Sequence, residues 1–342
     1  MGFVTLTVLS ALTGVGSLLL ARRFYTQSRA EAWLAASAVG LLMVLAPIHV
    51  LGWLGWLTAP ALGAASVGVS CAVLAFALRG GSPSPSPGAL ARGALVEMLA
   101  WPLRAFVDVW RGAVLVGLAL SAVLLVCAFT AVFAYLLPSC SWDGVWYHES
   151  IVGFAIQERG FAWVSVPPSL EYVNGYPKSS ELLSLWAVIF SGRRLIEGVQ
   201  SGMALVLLLG AYGLAQRFTA KKVHAVGFAC VLVLTPGVVL QLRSTLTDVC
   251  FVAVFVVALY FVTRPELRRV DLVLGCLASG LLGSMKGTAI AMAPLLLALA
   301  AARGLFPDRA GLFFLPLSHG RRAPQNYSVC TPMKSGRSFR AF

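Results

Sequence analysis

The amino-acid sequence predicts an all-α polytopic membrane protein with about nine transmembrane helices and one long outer loop that contains juxtamembrane helices. Of its 342 residues, 59% are hydrophobic and 11% are charged, whereas soluble globular domains carry about 25% charged residues. Apolar stretches long enough to cross a bilayer recur along the chain. The 26 Lys and Arg residues exceed the 13 Asp and Glu residues, but they lie in short clusters between those stretches. Such clusters orient membrane proteins, so we expect membrane lipids and no nucleic acid among the partners.

The apolar stretches define nine expected spans. They lie at about 3–20, 31–51, 59–78, 112–136, 198–216, 223–242, 246–263, 270–285 and 288–302. The last two are short and are separated by Met285-Lys286-Gly287, so they form either two spans or one interrupted helical hairpin. Arg22 and Arg23 follow the first apolar stretch, and no basic residue precedes it. This order is typical of a retained first span rather than a cleaved signal peptide.

A linker and an amphipathic segment follow the third span. Residues 80–88 contain only Gly, Ser and Pro, a composition typical of flexible linkers. The spacing of charged and apolar residues in 89–111 predicts an interfacial helix with a kink at Pro102. Its charged side carries Glu97, Arg104, Asp108 and Arg111, and its apolar side carries Leu99, Leu103, Phe106 and Trp110. The chain therefore divides into three N-terminal transmembrane helices (1–78), a cytoplasmic linker with an interfacial helix (79–111), a transmembrane core (112–303) and a basic tail (304–342).

Basic residues sort between alternate loops and predict the orientation of the chain. One set of loops holds thirteen of them: Arg22, Arg23, Arg29, Arg79, Arg92, Arg104, Arg111, Arg217, Lys221, Lys222, Arg264, Arg268 and Arg269. The alternate set holds five, four of them in residues 138–197 and the fifth at Arg243. Cytoplasmic loops carry the excess of Lys and Arg. We therefore expect the N-terminus outside and residues 138–197 as the long outer loop.

This outer loop concentrates polar and aromatic side chains. It begins with Trp142-Asp143-Gly144-Val145-Trp146-Tyr147-His148 and a helical stretch that ends at Arg159. Asn174-Gly175-Tyr176-Pro177-Lys178 and a semi-apolar helix at 179–191 follow. Loops held on a rigid scaffold often carry binding and catalytic residues, so we expect the chemistry of this protein here.

The order of these motifs resembles that of a known family. Trp142-Asp143-x-x-x-Tyr147-His148 followed by Asn174-Gly175-Tyr176-Pro177 resembles the first outer loop of GT-C class membrane glycosyltransferases, which include the protein O-mannosyltransferases and the lipid A arabinose transferase. Leu246-Thr247-Asp248 resembles the second conserved acid of that class, and residues 280–287 resemble its glycine-rich helix. The resemblance covers about residues 112–303. Gly144 stands where relatives often have a second acid, and Met285 stands where they have Thr.

The resemblance implies a membrane glycosyltransferase that uses a polyprenyl-phosphate sugar donor. Its acceptor would be an envelope glycan, lipid or protein at the outer face of a bacterial cytoplasmic membrane. By resemblance, Asp143 is the candidate catalytic base and Asp248 is a second acid that reaches the same cavity. A helix N-cap is the alternative role for both carboxylates. A divalent metal between them is compatible with the resemblance, and no other cofactor is expected.

Six further residues complete the expected substrate-binding set: Tyr147, His148, Tyr176, Lys178, Arg243 and Lys286. Lys286 lies in an apolar stretch, where a charge is costly unless it reaches an interface, a water-filled cavity or an anion. Arg243 either contacts a phosphate or extends to the membrane interface. His148 is a ligand, an acceptor contact or a packing residue, and Tyr147 offers a ring for sugar stacking. Tyr176 is expected mainly to shape the loop.

Two other functions compete with glycosyl transfer. A transporter or flippase of lipid-linked intermediates usually has intramembrane charges, broken helices and an internal repeat. The sequence has no evident repeat and its polar groups cluster in one loop, which favours the enzyme. The second alternative is an inactive fragment, because residues 318–342 are polar and basic without an acid. That tail is expected either to come from a truncated or frame-shifted gene model or to bind anionic lipid.

Overall fold

The computed structural model of the chain describes residues 2–79, 87–139 and 141–305. The described residues form helices and connecting turns, with no strand among them. Most of the expected linker at 80–88 and nearly all of the expected tail at 304–342 lie outside the described residues. The α-helices are α1 (Gly2–Phe24), α2 (Arg29–Leu54), α3 (Ala59–Leu78), α4 (Pro87–Gly112), α5 (Val114–Leu136), α6 (Glu149–Gln157), α7 (Tyr172–Gly175), α8 (Ser179–Ser191), α9 (Val199–Ala215), α10 (Lys222–Val233), α11 (Pro236–Val239), α12 (Asp248–Val262), α13 (Arg269–Gly283) and α14 (Ala289–Leu305).

Five helices of the described chain are long and apolar enough to cross a membrane. They are Gly2–Phe24, Arg29–Leu54, Ala59–Leu78, Val114–Leu136 and Arg193–Ala215. Four more apolar helices are shorter, at 10–17 residues: Ser179–Ser191, Lys222–Val233, Asp248–Val262 and Ala289–Leu305. A helix rises about 1.5 Å per residue and a bilayer core is about 30 Å thick. The fold is therefore that of an all-α membrane protein, and five spans follow from helix length and composition alone.

The expected span at 223–242 is interrupted. α10 ends at Val233, and a new one-turn helix, α11, begins at Pro236. Proline lacks the amide hydrogen of the helical ladder, and its ring disfavours helical backbone at the preceding residue. Thr235 accordingly leaves the helical conformation, with φ −59° and ψ 138°. The apolar stretch is continuous in sequence, but its helix is broken before the loop that contains Arg243.

α12 forms the centre of the bundle, between α9 and α13. Buried residues occur on all of its sides, as expected for a helix that is apolar all round. Glycines bring α9 close to it, because a Cβ atom at Gly210 would lie 2.8 Å from Val256 Cγ1. A Cβ atom at Gly213 would likewise lie 2.9 Å from the Tyr260 ring. Small residues at helix contacts allow such close packing in membranes.

α4 packs part of its expected apolar side and one residue of its expected charged side against the bundle. Leu99 and Leu103 are 74% and 64% exposed, whereas Phe106 packs against the core. Glu97, expected on the charged side, turns toward α1 and forms an ion pair with Arg22. The helix continues through Pro102. The packing of α4 on α1 and α5 therefore decides its orientation, and the exposed leucines form an apolar outer surface.

α8 lies inside the bundle rather than on its surface. Its first nine residues, 179–187, are all buried, and the helix contacts α1, α2 and α6. The Ser179 amide donates a hydrogen bond of 3.0 Å to the Ser284 carbonyl, and the Trp186 indole donates one of 3.3 Å to Ser10 Oγ. The 138–197 loop thus inserts a helix between the N-terminal helices and the core.

The connecting segments gather at two ends of the bundle. At the end that we call the loop end, Phe161 N donates to Gly52 O at 3.1 Å, Leu57 N donates to Arg159 O at 2.7 Å, and Arg243 Nη2 donates to Pro138 O at 2.9 Å. At the other, the arginine end, Arg268 Nη1 donates to Phe24 O at 3.0 Å and Arg217 Nη1 donates to Thr263 Oγ1 at 2.6 Å. α1 joins the ends, since Gly2 lies against Phe190 O and Phe24 against Arg268. The alternate loops with few basic residues thus share one end.

Candidate functional site

A cavity of about 210 Å³ lies at the loop end, where the 138–197 loop meets the starts of α12 and α14. We call it the histidine cavity. It is lined by Tyr147, His148, Tyr176, Pro177, Glu181, Thr247, Met285, Lys286, Gly287 and Thr288. Four of the six expected substrate-binding residues line it, and they come from three separate parts of the chain. The structure therefore brings together side chains that the sequence separates by up to about 140 positions.

His148 and Glu181 form a buried pair in the wall of this cavity. His148 Nδ1 lies 2.6 Å from Glu181 Oε1, and their side chains are 7% and 2% exposed. His148 ends a short π-helix, Gly144–His148, a local geometry that recurs at functional sites. Glu181 Oε2 is buried and has no hydrogen-bond partner in the described part of the chain. Since buried polar atoms are almost always satisfied in native proteins, this oxygen is available to accept a hydrogen bond from a group that enters the cavity.

Aromatic rings form another wall of the histidine cavity. The centroid of the Tyr147 ring lies 4.1 Å from that of His148 and 5.6 Å from that of Tyr176. Tyrosine presents an apolar ring face and a polar hydroxyl, so such a pair suits the mixed apolar and polar surface of a sugar. Trp146, which precedes Tyr147, forms a ring contact with Trp142 and does not line the cavity.

Lys286 and Asp248 form an ion pair at the cavity. Lys286 lies in the turn between α13 and α14, and Asp248 is the first residue of α12. Their side chains are 33% and 40% exposed, so solvent reaches the pair. Thr247 holds the N-cap position of α12 but makes no capping hydrogen bond with its side chain. The Asp248 carboxylate is therefore the ion-pair partner of Lys286. The lysine lies at the ends of the helices rather than in the middle of the bundle.

Asp143 does not line the histidine cavity, although it lies four residues before Tyr147, which does. It is exposed and precedes the π-helix with φ −61° and ψ −33°, and its side chain makes no capping hydrogen bond. Gly144 after it packs tightly, since a Cβ atom there would lie 2.0 Å from Ser141 Oγ and 2.6 Å from Thr245 Oγ1. This crowding leaves no room for a side chain at position 144. It also holds Asp143 next to the segment that leads into α12.

Lys178 and Asn174 shape the turn before α8. Lys178 Nζ donates a 3.0 Å hydrogen bond to the Asn174 carbonyl, and burial lowers the pKa of this lysine. The Asn174 side chain bonds both backbone groups of Val164 at 3.0 Å. These contacts give the Asn174-Gly175-Tyr176-Pro177 motif a structural role, namely to present Tyr176 to the cavity.

Arg243 lies outside the histidine cavity lining. Its Nη2 atom donates to the Pro138 carbonyl, and its Nε atom lies 3.7 Å from Glu197 Oε2. Glu197 is buried and also accepts a 2.7 Å hydrogen bond from Ser139. Arg243 therefore ties the start of the 138–197 loop to the segment before α12.

The sequence interpretation missed Glu181 and the cluster at the arginine end. Glu181 is an acid in the first turn of a helix, which is an ordinary position for a solvent-exposed acid. Only its distance from His148, 33 positions away, reveals its role. At the arginine end, Tyr25, Glu31, Arg264 and Asp271 form one hydrogen-bonded network. The sequence analysis used Arg264 only to predict the orientation of the chain in the membrane.

The described residues do not match the donor set of a metal centre. They include no group of three or more His, Cys, Asp and Glu side chains placed to hold one ion. Asp248, one of the two carboxylates considered for a divalent cation, is paired with Lys286.

Fold and site together define the class: an all-α membrane protein with a polar, aromatic-lined cavity at one end of its helices. Scans against protein-family models, curated proteins and solved structures found no significant match to this chain.

Proposed function

We propose that this protein is an integral membrane glycosyltransferase that moves a sugar from a polyprenyl-phosphate donor to an envelope glycan, lipid or protein acceptor. One observation carries the proposal: the histidine cavity combines two tyrosine rings, a buried histidine–glutamate pair and a lysine. The tyrosine rings can stack on a sugar, the histidine can form a hydrogen bond with a hydroxyl group, and the lysine can form an ion pair with a phosphate. The resemblance of the motifs to GT-C enzymes supports the same reaction.

In the proposed reaction, the acceptor hydroxyl oxygen forms a bond to the anomeric carbon as the bond from that carbon to the phosphate oxygen breaks. The electron pair of the broken bond stays on the phosphate, where Lys286 stabilises the added charge. The hydroxyl proton passes to a base. Asp143 is the base that the motif implies. His148 is the competing base, because it lines the cavity and Glu181 orients its ring.

We further propose that nine segments span a bacterial cytoplasmic membrane, with the N-terminus and the loop end outside. The thirteen-to-five division of basic residues supports this orientation. The clustering of the sparsely basic loops at one end of the bundle supports it as well. Helices of 12–17 residues, such as α10, α12 and α14, would cross within the bundle beside longer helices.

Transfer of a labelled sugar in membranes tests the reaction. Membranes that contain the chain are supplied with a polyprenyl-phosphate sugar, and transfer by wild type is compared with that by Asp143→Asn at equal protein levels. Loss of a general base lowers rates by about 10²–10⁴. Asp108→Asn is the matched control, since Asp108 is an exposed acid on α4. Transfer that is unchanged in Asp143→Asn and lost in His148→Gln would assign the base to His148, and no transfer by wild type would contradict the proposal.

Introduced cysteine probes test the orientation. A membrane-impermeant thiol reagent applied to intact cells should label Ser169→Cys and leave Ala220→Cys unlabelled, in a background where Cys140 is replaced by Ser. Both positions are exposed, one in the 138–197 loop and one in the turn before α10. Labelling in the reverse sense would overturn the orientation and the proposed side of the site.

A flippase of lipid-linked intermediates is the second candidate. The broken helices α10–α11 and α13–α14, with Lys286 and Asp248 at one break, favour it, since discontinuous helices often carry transporter sites. Movement of a fluorescent polyprenyl phosphate across proteoliposomes without any sugar transfer would select this function over the enzyme.

A further inference from the structure

A second and larger cavity of about 520 Å³ lies at the arginine end, between the α1–α2 turn, the end of α9 and the end of α12. We call it the arginine cavity. Its lining includes Gln27, Glu31, Gln216, Arg217, Arg264 and Glu266. The volume falls within the range of about 300–1,000 Å³ that small-molecule sites occupy. The proposed glycosyl transfer, at the other end of the bundle, makes no use of it.

Other protein groups already satisfy the two carboxylates beneath the cavity. Glu31 accepts hydrogen bonds from Arg264 Nη2 at 2.8 and 2.9 Å and from the Tyr260 hydroxyl at 2.8 Å. Asp271 accepts from the Tyr25 hydroxyl at 2.5 Å, from Arg264 at 2.9 Å and from Arg268 at 3.0 and 3.1 Å. These acids therefore neutralise Arg264 and Arg268 and have little capacity left for a third cation.

Arg217 is that third cation. Its guanidinium donates to two neutral acceptors, Thr263 Oγ1 and the Tyr260 carbonyl, both at 2.6 Å. It also stacks on the Tyr260 ring, 4.3 Å from the ring centroid. Among the described residues, no carboxylate lies within ion-pair distance of it. Burial lowers the pKa of Arg217, the direction expected when a cation loses water without gaining a full counter-charge.

A desolvated cation that faces an open cavity is costly unless an anion joins it. We propose that the arginine cavity binds a phosphate-bearing anion, either a free phosphoryl compound or the phosphate headgroup of a membrane lipid, with Arg217 as its main contact. Arginine suits phosphate because its planar fork donates two parallel hydrogen bonds. Gln27 and Gln216 add amide donors to the lining, and Glu266 is exposed at the rim. The site goes beyond the proposed transfer reaction and does not depend on it.

The test measures binding by the purified full chain in phosphate-free buffer. Pyrophosphate is titrated against the chain in detergent, and thermal unfolding is recorded at each concentration, because a ligand that binds the folded state raises its melting temperature. In parallel, the chain is placed in nanodiscs of phosphatidylcholine with and without phosphatidylglycerol. Stabilisation by pyrophosphate would identify a soluble phosphoryl ligand, and stabilisation only by phosphatidylglycerol would identify a lipid headgroup.

Four variants test which residues are responsible. Arg217→Gln should weaken binding about ten- to hundredfold, the value of a hydrogen bond to a charged group. Gln27→Glu lies on the exposed α1–α2 turn, so it should fold normally and weaken binding about fivefold by repulsion. Glu266→Gln should tighten binding. Gln157→Glu, the same change at an exposed position of the loop end, is the matched control and should leave binding unchanged.

Two results would overturn the inference. The first is the absence of stabilisation by either probe in the wild-type chain. The second is stabilisation that Arg217→Gln and Gln27→Glu leave at the wild-type level, because the anion would then bind elsewhere. Neither result bears on sugar transfer at the histidine cavity.

Discussion

The buried carboxylates at the two ends of this bundle differ in how fully they are hydrogen-bonded. At the arginine end, Asp271 has no exposed side-chain surface and receives hydrogen bonds from a tyrosine and two arginines. At the loop end, Glu181 is nearly as buried, but one of its oxygens has no hydrogen-bond partner among the described residues, and the Lys286–Asp248 pair is partly exposed to solvent. A network in which every polar atom is hydrogen-bonded holds helices together. A buried polar atom without a hydrogen-bond partner lowers stability and persists where function requires it.

This difference distinguishes a structural cluster around Asp271 from the candidate functional site around Glu181. Tyr25, Arg264 and Arg268 connect the α1–α2 turn to α13 through Asp271. Removal of any one of them breaks several contacts at once. Lys286 and Asp248 connect two helix starts through a single contact. The free energy of unfolding should therefore respond strongly to changes at the first cluster and weakly to changes at the second.

The largest expected effect on stability comes from Asp271→Asn. The amide keeps the shape of the carboxylate but leaves Arg264 and Arg268 without their shared counter-charge, which should cost about 3–5 kcal/mol. Unfolding in detergent, followed by tryptophan fluorescence, measures the change. Asp248→Asn is the matched control and should cost at most about 1 kcal/mol, because its ion pair is solvent-exposed. Equal losses in the two variants would contradict the proposed contrast.

Glu181→Gln should have an intermediate effect on stability and a large one on transfer. The change replaces a charged hydrogen bond to His148 by a neutral one, which should cost about 1 kcal/mol of unfolding free energy. It also removes the charge that orients the imidazole. Sugar transfer should fall about 10- to 100-fold. A rate like that of wild type would remove the pair from the mechanism.

Much of this architecture could be predicted because the lengths of the apolar stretches in the sequence determine where the long helices lie. The expected spans at 59–78 and 112–136 match α3 and α5 within about two residues, and Asp248 opens α12 as the Leu246-Thr247-Asp248 motif suggested. The sequence also predicted one site that combines Tyr147, His148, Tyr176 and Lys286.

The rest depends on tertiary packing, which no local pattern records. The burial of α8 results from its contacts with α1 and α2, and its semi-apolar sequence is equally typical of a surface helix. Glu97 faces inward because Arg22 lies opposite, 75 positions earlier. The break before Pro236 did have a local signal, but the unbroken apolar composition around it favoured one span. Pairings between distant residues, such as His148 with Glu181, appear only once the helices are placed.

Lys286→Met should change stability by no more than about 1 kcal/mol. The variant loses an exposed ion pair worth about 0–1 kcal/mol and gains an apolar side chain in an apolar stretch. Transfer should nevertheless fall at least tenfold, since the lysine is proposed to stabilise the leaving phosphate. Lys222→Met, at an exposed position of the arginine end, is the control for loss of a lysine. Full transfer by Lys286→Met would show that the lysine only partners Asp248.

Lys178→Met should have the smallest effect on stability, about 0.5 kcal/mol or less near neutral pH. Two changes oppose each other: the hydrogen bond to the Asn174 carbonyl is lost, and the cost of a half-buried ammonium is removed. The pH dependence distinguishes them. Because burial lowers the pKa of Lys178, the charged form is less stable in the folded chain than in the unfolded one. That penalty is complete below the lowered pKa and disappears as the pH rises from it toward the ordinary lysine value near 10.4. Wild type should therefore gain stability relative to Lys178→Met as the pH is raised through this window, as measured by melting temperature. A constant difference between the two proteins across that range would mean that the ammonium bears no penalty, and that Lys178 only closes the turn before α8.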